Sequence, residues 1–204
     1  MKFLKIGKLT VSDESDPFVI AEAGVNYYEI AEKENIELIA AAKKMVALAA
    51  ENGADAIKFQ IYKAGKLASV YSPAYWDTSK EGTKSQFELF QKYDKFGEKD
   101  YQALAEYAKE KNIIFMATPF DEEAVDLVDK LSPVFKIASA DITNFPLLGR
   151  IAKKNKPIFL SAGASTLDEI KEAVEFIKQA GNNQISILHC VLNYPTEYQN
   201  ANLL

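Results

Sequence analysis

Six short apolar runs, each closed by small or polar residues, recur along this chain with amphipathic stretches between them. They are Phe18–Gly24, Ala56–Tyr62, Ile113–Pro119, Val134–Asp141, Pro157–Gly163 and Ile185–Cys190. Their length, their β-branched and aromatic content and their turn-forming borders read as buried strands. The segments between them read as helices. Ile36–Glu51 is rich in Ala, Leu, Lys and Met and stops at Asn52-Gly53. Lys99–Lys111 sets Tyr101, Leu104, Ala105 and Ala108 on one face. Glu122–Leu131 follows Asp121 as N-cap, and Asn144 precedes Pro146 at a further helix start. Thr166-Leu-Asp-Glu169 is a capping box that opens a helix running toward Gly181.

Strand-helix alternation implies a parallel sheet with right-handed crossovers. An open doubly wound sheet and a (β/α)8 barrel both satisfy it. No G-x-G-x-x-G or Walker loop opens the first helix, which weakens the nucleotide-binding open sheet. Polar residues end every strand instead of gathering at one switch point, which favours the barrel. The expected fold class is therefore α/β, a TIM (β/α)8-type barrel. A barrel needs eight strands and typically about 250 residues. With six runs in 204 residues, the barrel is expected to be truncated after six βα units. Residues 1–204 would then be one incomplete barrel domain, and Phe3–Ile6 with Leu9–Val11 a hairpin over its floor. The long segment Ala64–Gly97, with seven aromatic residues, reads equally as a functional loop or as a packed excursion with a helix near Ser85–Tyr93.

Composition narrows the function classes. Hydrophobic residues at 48% and charged residues at 26% exclude disorder for the bulk of the chain. Net charge −5 gives no overall pull toward nucleic acid or an anionic membrane. No apolar run approaches the roughly 18 residues of a membrane span, and the first residues lack a signal-peptide core. Cys190 is the only cysteine, so no intrachain disulfide forms, and a cytoplasmic setting is expected. His189 is the only histidine. A two-histidine metal motif cannot be built from one copy of the chain, and His189 is expected to be a satisfied core residue and Cys190 an inert buried thiol.

The strand ends carry the chemistry. Side-chain alternation places Ile20, Glu22 and Gly24 on one face of the first strand and Ala56, Lys58 and Gln60 on one face of the second. Thr118 ends the third strand. Lys136 lies inside the fourth, with Ser139 and Asp141 at its end. Ser161 and His189 lie near the ends of the fifth and sixth. A charge inside an apolar strand is costly unless paired or functional. Three readings stand open: a structural pair of Glu22 with Lys58 or Lys136, an anion site of two ammonium groups with Thr and Ser hydroxyls, and a Schiff-base lysine.

The blocks AEAGVN (21–26), GADAIKFQ (53–60), ATPFDEEAVD (117–126), FKIASADITNFPLL (135–148), LSAGAST (160–166) and LHCVLNYPT (188–196) resemble the sialic acid (N-acetylneuraminate) synthase family, from Phe18 onward. The resemblance implies a (β/α)8 barrel followed by a C-terminal antifreeze-like domain that these residues do not contain. It implies condensation of phosphoenolpyruvate with an N-acetylated hexosamine to a nonulosonic acid, with release of phosphate. It implies Lys58 and Lys136 as the phosphoenolpyruvate lysines, with Thr118, Ser139, Gln60 and Ser161 as further substrate contacts. Glu22 would be the carboxylate near the sugar, Asp141 would stand where the family has Glu, and Tyr194 would be the loop tyrosine. A divalent metal, Mn²⁺ or Mg²⁺, is implied for the full-length family. Its histidines fall beyond residue 204, so no metal ligand is assigned here. A homodimer is implied for the full-length protein, and this chain alone is expected to be inactive.

The sequence departs from the family text at Tyr27-Tyr28-Glu29 where a turn is usual, at Ala140-Asp141 and at Leu192. Two other readings are carried. One is a Schiff-base aldolase working through Lys58 or Lys136. The other is a degenerate barrel that only binds.

Overall fold

A computed structural model describes residues 3–193 and 195–203. The chain divides into two compact units, residues 18–132 and residues 1–17 with 133–204. It begins with an antiparallel hairpin of β1 (Phe3–Ile6) and β2 (Leu9–Ser12), whose Ile6 is fully buried. Then follow β3 (Ile20–Gly24), α1 (Tyr27–Glu34), α2 (Leu38–Glu51), β4 (Ala56–Ile61), α3 (Ala64–Leu67), α4 (Gln86–Tyr93), α5 (Glu98–Glu110), β5 (Ile114–Pro119) and α6 (Glu122–Leu131). The remainder comprises β6 (Phe135–Ile137), α7 (Phe145–Ala152), β7 (Ile158–Ser161), α8 (Leu167–Gln179) and β8 (Ile185–Leu188), with 3-10 turns at Ser139–Asp141 and Tyr198–Asn200.

Each unit is built on a three-stranded parallel sheet in chain order, β3-β4-β5 in one and β6-β7-β8 in the other. This is the sequential, unreversed order expected from the strand-helix alternation. In residues 18–132, β4 is central, with Ala56, Ile57, Phe59 and Ile61 buried. Phe59 lies 5.8 Å from Phe115 and 6.2 Å from Tyr27, ring to ring. That packing fixes the outward face of the sheet and leaves Lys58 and Gln60 on the other. In the second unit Phe135, Ile137, Ile158 and Leu160 form the sheet core. Among the described residues, no helix is long and apolar enough to cross a membrane.

Helix starts follow local chemistry. The Asp121 carboxylate accepts the Ala124 N–H at 2.9 Å and Asn144 Oδ1 accepts the Leu147 N–H at 3.3 Å. Thr166 and Glu169 cap each other reciprocally. Three features lie beyond the sequence reading. First, α1 occupies the stretch read as a departure from a turn. Asn35 ends it in the left-handed conformation, φ 52°, and Tyr27 buries its ring beneath it. Second, the fourth apolar run is a strand only over Phe135–Ile137. The Asp141 N–H turns back onto the Ala138 carbonyl at 3.0 Å, which starts the 3-10 turn. Third, Ala164 has φ 53°. Every other non-glycine residue at positive φ among the described residues is Asn, so the β7–α8 loop holds a conformation unfavourable to its own side chain.

The segment 64–97 is anchored at its ends. Phe96 stacks on Tyr27 at 4.7 Å with planes 3° apart, Phe90 meets Tyr62 at 5.6 Å, and Tyr93 meets Tyr28 at 5.0 Å. The Tyr28 hydroxyl donates to the Tyr93 carbonyl at 3.0 Å. Asp94 accepts from Lys63 Nζ at 2.6 Å and from the Ala64 N–H at 3.0 Å. Its aromatic residues therefore divide between a packed base and an exposed tip bearing Tyr71 and Tyr75.

Candidate active site

In residues 18–132 the polar strand-end residues meet around one ammonium. Parallel register sets Glu22 opposite Lys58 and Gln60 opposite Thr118. Lys58 is 5% exposed. Its Nζ lies 2.6 Å from Glu22 Oε2 and donates to Thr118 Oγ1 at 3.3 Å. Thr118 is itself buried, and Gln60 is half-buried. The Gln60 carbonyl accepts the Tyr101 hydroxyl at 2.9 Å, which ties β4 to α5. After Glu22 the register slips by one residue, so Gly24 pairs with Phe59. Gly24 takes φ 54° with open space where a Cβ would stand. This bulge ends β3 at the site, a common device for aiming a strand-end side chain.

In the second unit Lys136 is 9% exposed, and its Nζ donates to the Ile137 carbonyl at 3.2 Å. Ser161 is buried at the end of β7. Gly163 is a point of close approach: a Cβ there would lie 3.2 Å from Ser139 Oγ and 3.2 Å from Cys190 Sγ. The turns after β6, β7 and β8 thus pack against one another. Asn144 does two jobs. Its Oδ1 caps α7, while its Nδ2 donates to Asp141 Oδ1 at 3.2 Å. Burial pushes the Asp141 carboxyl above its ordinary range, and the Asn144 hydrogen bond partly opposes that rise. A carboxyl moved this way is better matched to proton transfer near neutral pH.

Lys58 thus contacts both Glu22 and Thr118, and its pairing with Glu22 is one of the three readings the sequence left open. Ser161 stands at the end of β7 as expected, whereas Ser139 and Asp141 share the 3-10 turn that follows β6. Tyr194 lies outside the described residues. His189 is satisfied as expected, its Nε2 2.7 Å from the Ala201 carbonyl oxygen, but it is exposed and not in the core. Cys190 is half-buried, with Sγ 3.6 Å from the Leu188 carbonyl oxygen. Among the described residues, no three His, Cys, Asp or Glu side chains group to hold a metal ion. Asn144 escaped the sequence reading as a site residue because its capping role alone accounted for it. Its spacing of three from Asp141 was the available signal.

Residues 45–204 match the NeuB family. The chain belongs to the NeuB family. The N,N'-diacetyllegionaminic acid synthase of Campylobacter jejuni is 40% identical over 91% of this chain and 54% of its own length. An uncharacterized protein of Methanocaldococcus jannaschii is 38% identical over 100% of this chain and 54% of its own. The crystal structure of N-acetylneuraminic acid (sialic acid) synthetase from Leptospira borgpetersenii, in complex with citrate, superimposes with a TM-score of 0.80. It is 30% identical and covers 98% of this chain and 63% of that one. The chain spans about half the length of the curated NeuB-family relatives it matches.

Proposed function

We propose that this chain carries the phosphoenolpyruvate-binding part of a nonulosonic acid synthase. In that reaction the enol carbon of phosphoenolpyruvate bonds to the aldehyde carbon of an open-chain N-acetylated hexosamine such as N-acetylmannosamine. Water adds to C2, and phosphate leaves with cleavage of its C–O bond. The observation that supports this most is the buried Lys58 ammonium inside β4, flanked by the Thr118 hydroxyl and by a carboxylate. A trianionic substrate calls for that set: fixed cations and hydroxyl donors in a water-poor setting. NeuB-family membership supports the same substrate class.

In this reading Lys58 and Lys136 each lend a cation to phosphoenolpyruvate, and Thr118, Ser139, Ser161 and Gln60 supply hydrogen bonds. Glu22 meets the sugar, Asp141 moves a proton, and Tyr194 contacts substrate from the last loop. The two parallel sheets would be successive arcs of a (β/α)8 barrel, completed with a terminal domain in a longer, homodimeric, cytoplasmic protein. A divalent cation, Mn²⁺ or Mg²⁺, would polarise the aldehyde from ligands outside the described residues. The Schiff-base reading has less support, because an ammonium paired to Glu22 at 2.6 Å offers no lone pair to a carbonyl.

Titrating phosphoenolpyruvate into the wild type, Lys58→Met and Lys136→Met by calorimetry tests the reading. Each substitution is expected to weaken binding by about 2–5 kcal/mol, the usual loss on removing one partner of a buried charge pair. Equal affinity in all three proteins would sink it.

A further inference from the structure

The ion pair that Lys58 makes from inside β4 is lopsided. The Lys58 side chain is 6% exposed and the Glu22 side chain 60%. The lysine side chain is enclosed almost completely on its own face of the sheet, so its charge has nowhere else to go. A buried ammonium is tolerated only with an anion or strong acceptors beside it. Glu22 meets that demand, yet it stands on the open side, on a strand that bulges directly after it. Retreating into water costs an exposed carboxylate little, whereas Lys58 cannot follow it.

We propose that Glu22 is a resident counter-ion, displaced from Lys58 when a substrate anion binds. Each anion seated on Lys58 thereby releases one carboxylate into the site. The Thr118 hydroxyl, held at 3.3 Å from Nζ, stays in place through the exchange. It turns its proton toward the incoming oxygen while still accepting from Lys58. Glu22 thus lowers the apparent affinity of the anion it makes room for, because every binding event must first break an internal pair. The pairing also keeps Lys58 oriented before substrate arrives. This inference rests on the reading of Lys58 as a phosphoenolpyruvate lysine.

Four forms of the 204-residue chain test it, each titrated with phosphoenolpyruvate by calorimetry: wild type, Glu22→Gln, Lys58→Met and the double variant. Removing the competing carboxylate is expected to tighten binding about fivefold, the factor matching a half-exposed ion pair. The gain is expected to vanish in the Lys58→Met background, since the two side chains act on each other. Glu22→Ala serves as a second variant, and circular dichroism confirms that each form is folded. A merely structural pair would lower the melting temperature with no gain in affinity. If Lys58→Met loses binding while neither Glu22 variant binds more tightly, the exchange is wrong and the lysine assignment stands. If all forms bind equally, or none binds, the assignment fails and the exchange fails with it.

Discussion

The half-buried Asp141 carboxyl favours its protonated form on folding, because burial outweighs the opposing hydrogen bond from Asn144. Its pKa is raised, so the stability tied to that proton is complete below the ordinary aspartate value of about 4 and is lost as pH rises through the folded value. Asp141→Asn keeps the shape and an acceptor for Asn144 while removing the charge. It is expected to raise stability at neutral pH, and the gain should disappear in urea melts taken below pH ~4. In a protein that turns over, the same change should lower the rate by about a hundredfold or more, the usual cost of losing a positioned proton carrier. Opposite signs for stability and rate would mark Asp141 as retained for chemistry. A stability loss at neutral pH would show that Asn144 holds the carboxylate and not the acid.

At the scale of elements, most of the fold was legible because each strand and helix announces itself locally. The Thr166 box, the Asp121 cap and the Asn144-Phe-Pro start all carry side chains that can satisfy only one kind of terminus. The paired strand ends were legible for a similar reason, since a lysine between Ile57 and Phe59 has few physical excuses. What was not legible depends on distant partners. Helix α1 owes its burial to Phe96, 69 positions beyond Tyr27, and no local pattern encodes that stack. The same stack explains why the base of the 64–97 segment is ordered. Phe96→Ala is expected to destabilise residues 18–132 by about 3 kcal/mol. Hydrogen exchange should show α1 and α4 losing protection together. If only α4 loosens, the stack is incidental to α1.

For the molecule as a whole, the two units differ in how they should respond to alkali. Eight of the ten tyrosines lie in residues 18–132, and only Tyr194 and Tyr198 lie elsewhere. Burial pushes Tyr27, Tyr62 and Tyr101 well above the ordinary phenol range, and it pushes Tyr28 up to about 12. A phenol with a raised folded pKa stabilises the native state fully below its unfolded value of about 10, and that contribution drains away as pH climbs toward the folded value. Four such groups share one cluster, where Tyr27 and Tyr28 rings lie 4.9 Å apart, so ionising one raises the cost of ionising the next. Above pH ~10 the chain is therefore expected to lose stability cooperatively, beginning in residues 18–132. Phenolate absorbance should rise in step with loss of helical signal. Hydrogen exchange read by mass spectrometry should show β4 and α5 opening at a lower pH than β7 and α8. Simultaneous opening of all four would mean that the two units unfold as one, and earlier opening of β7 and α8 would remove the tyrosine cluster as the cause.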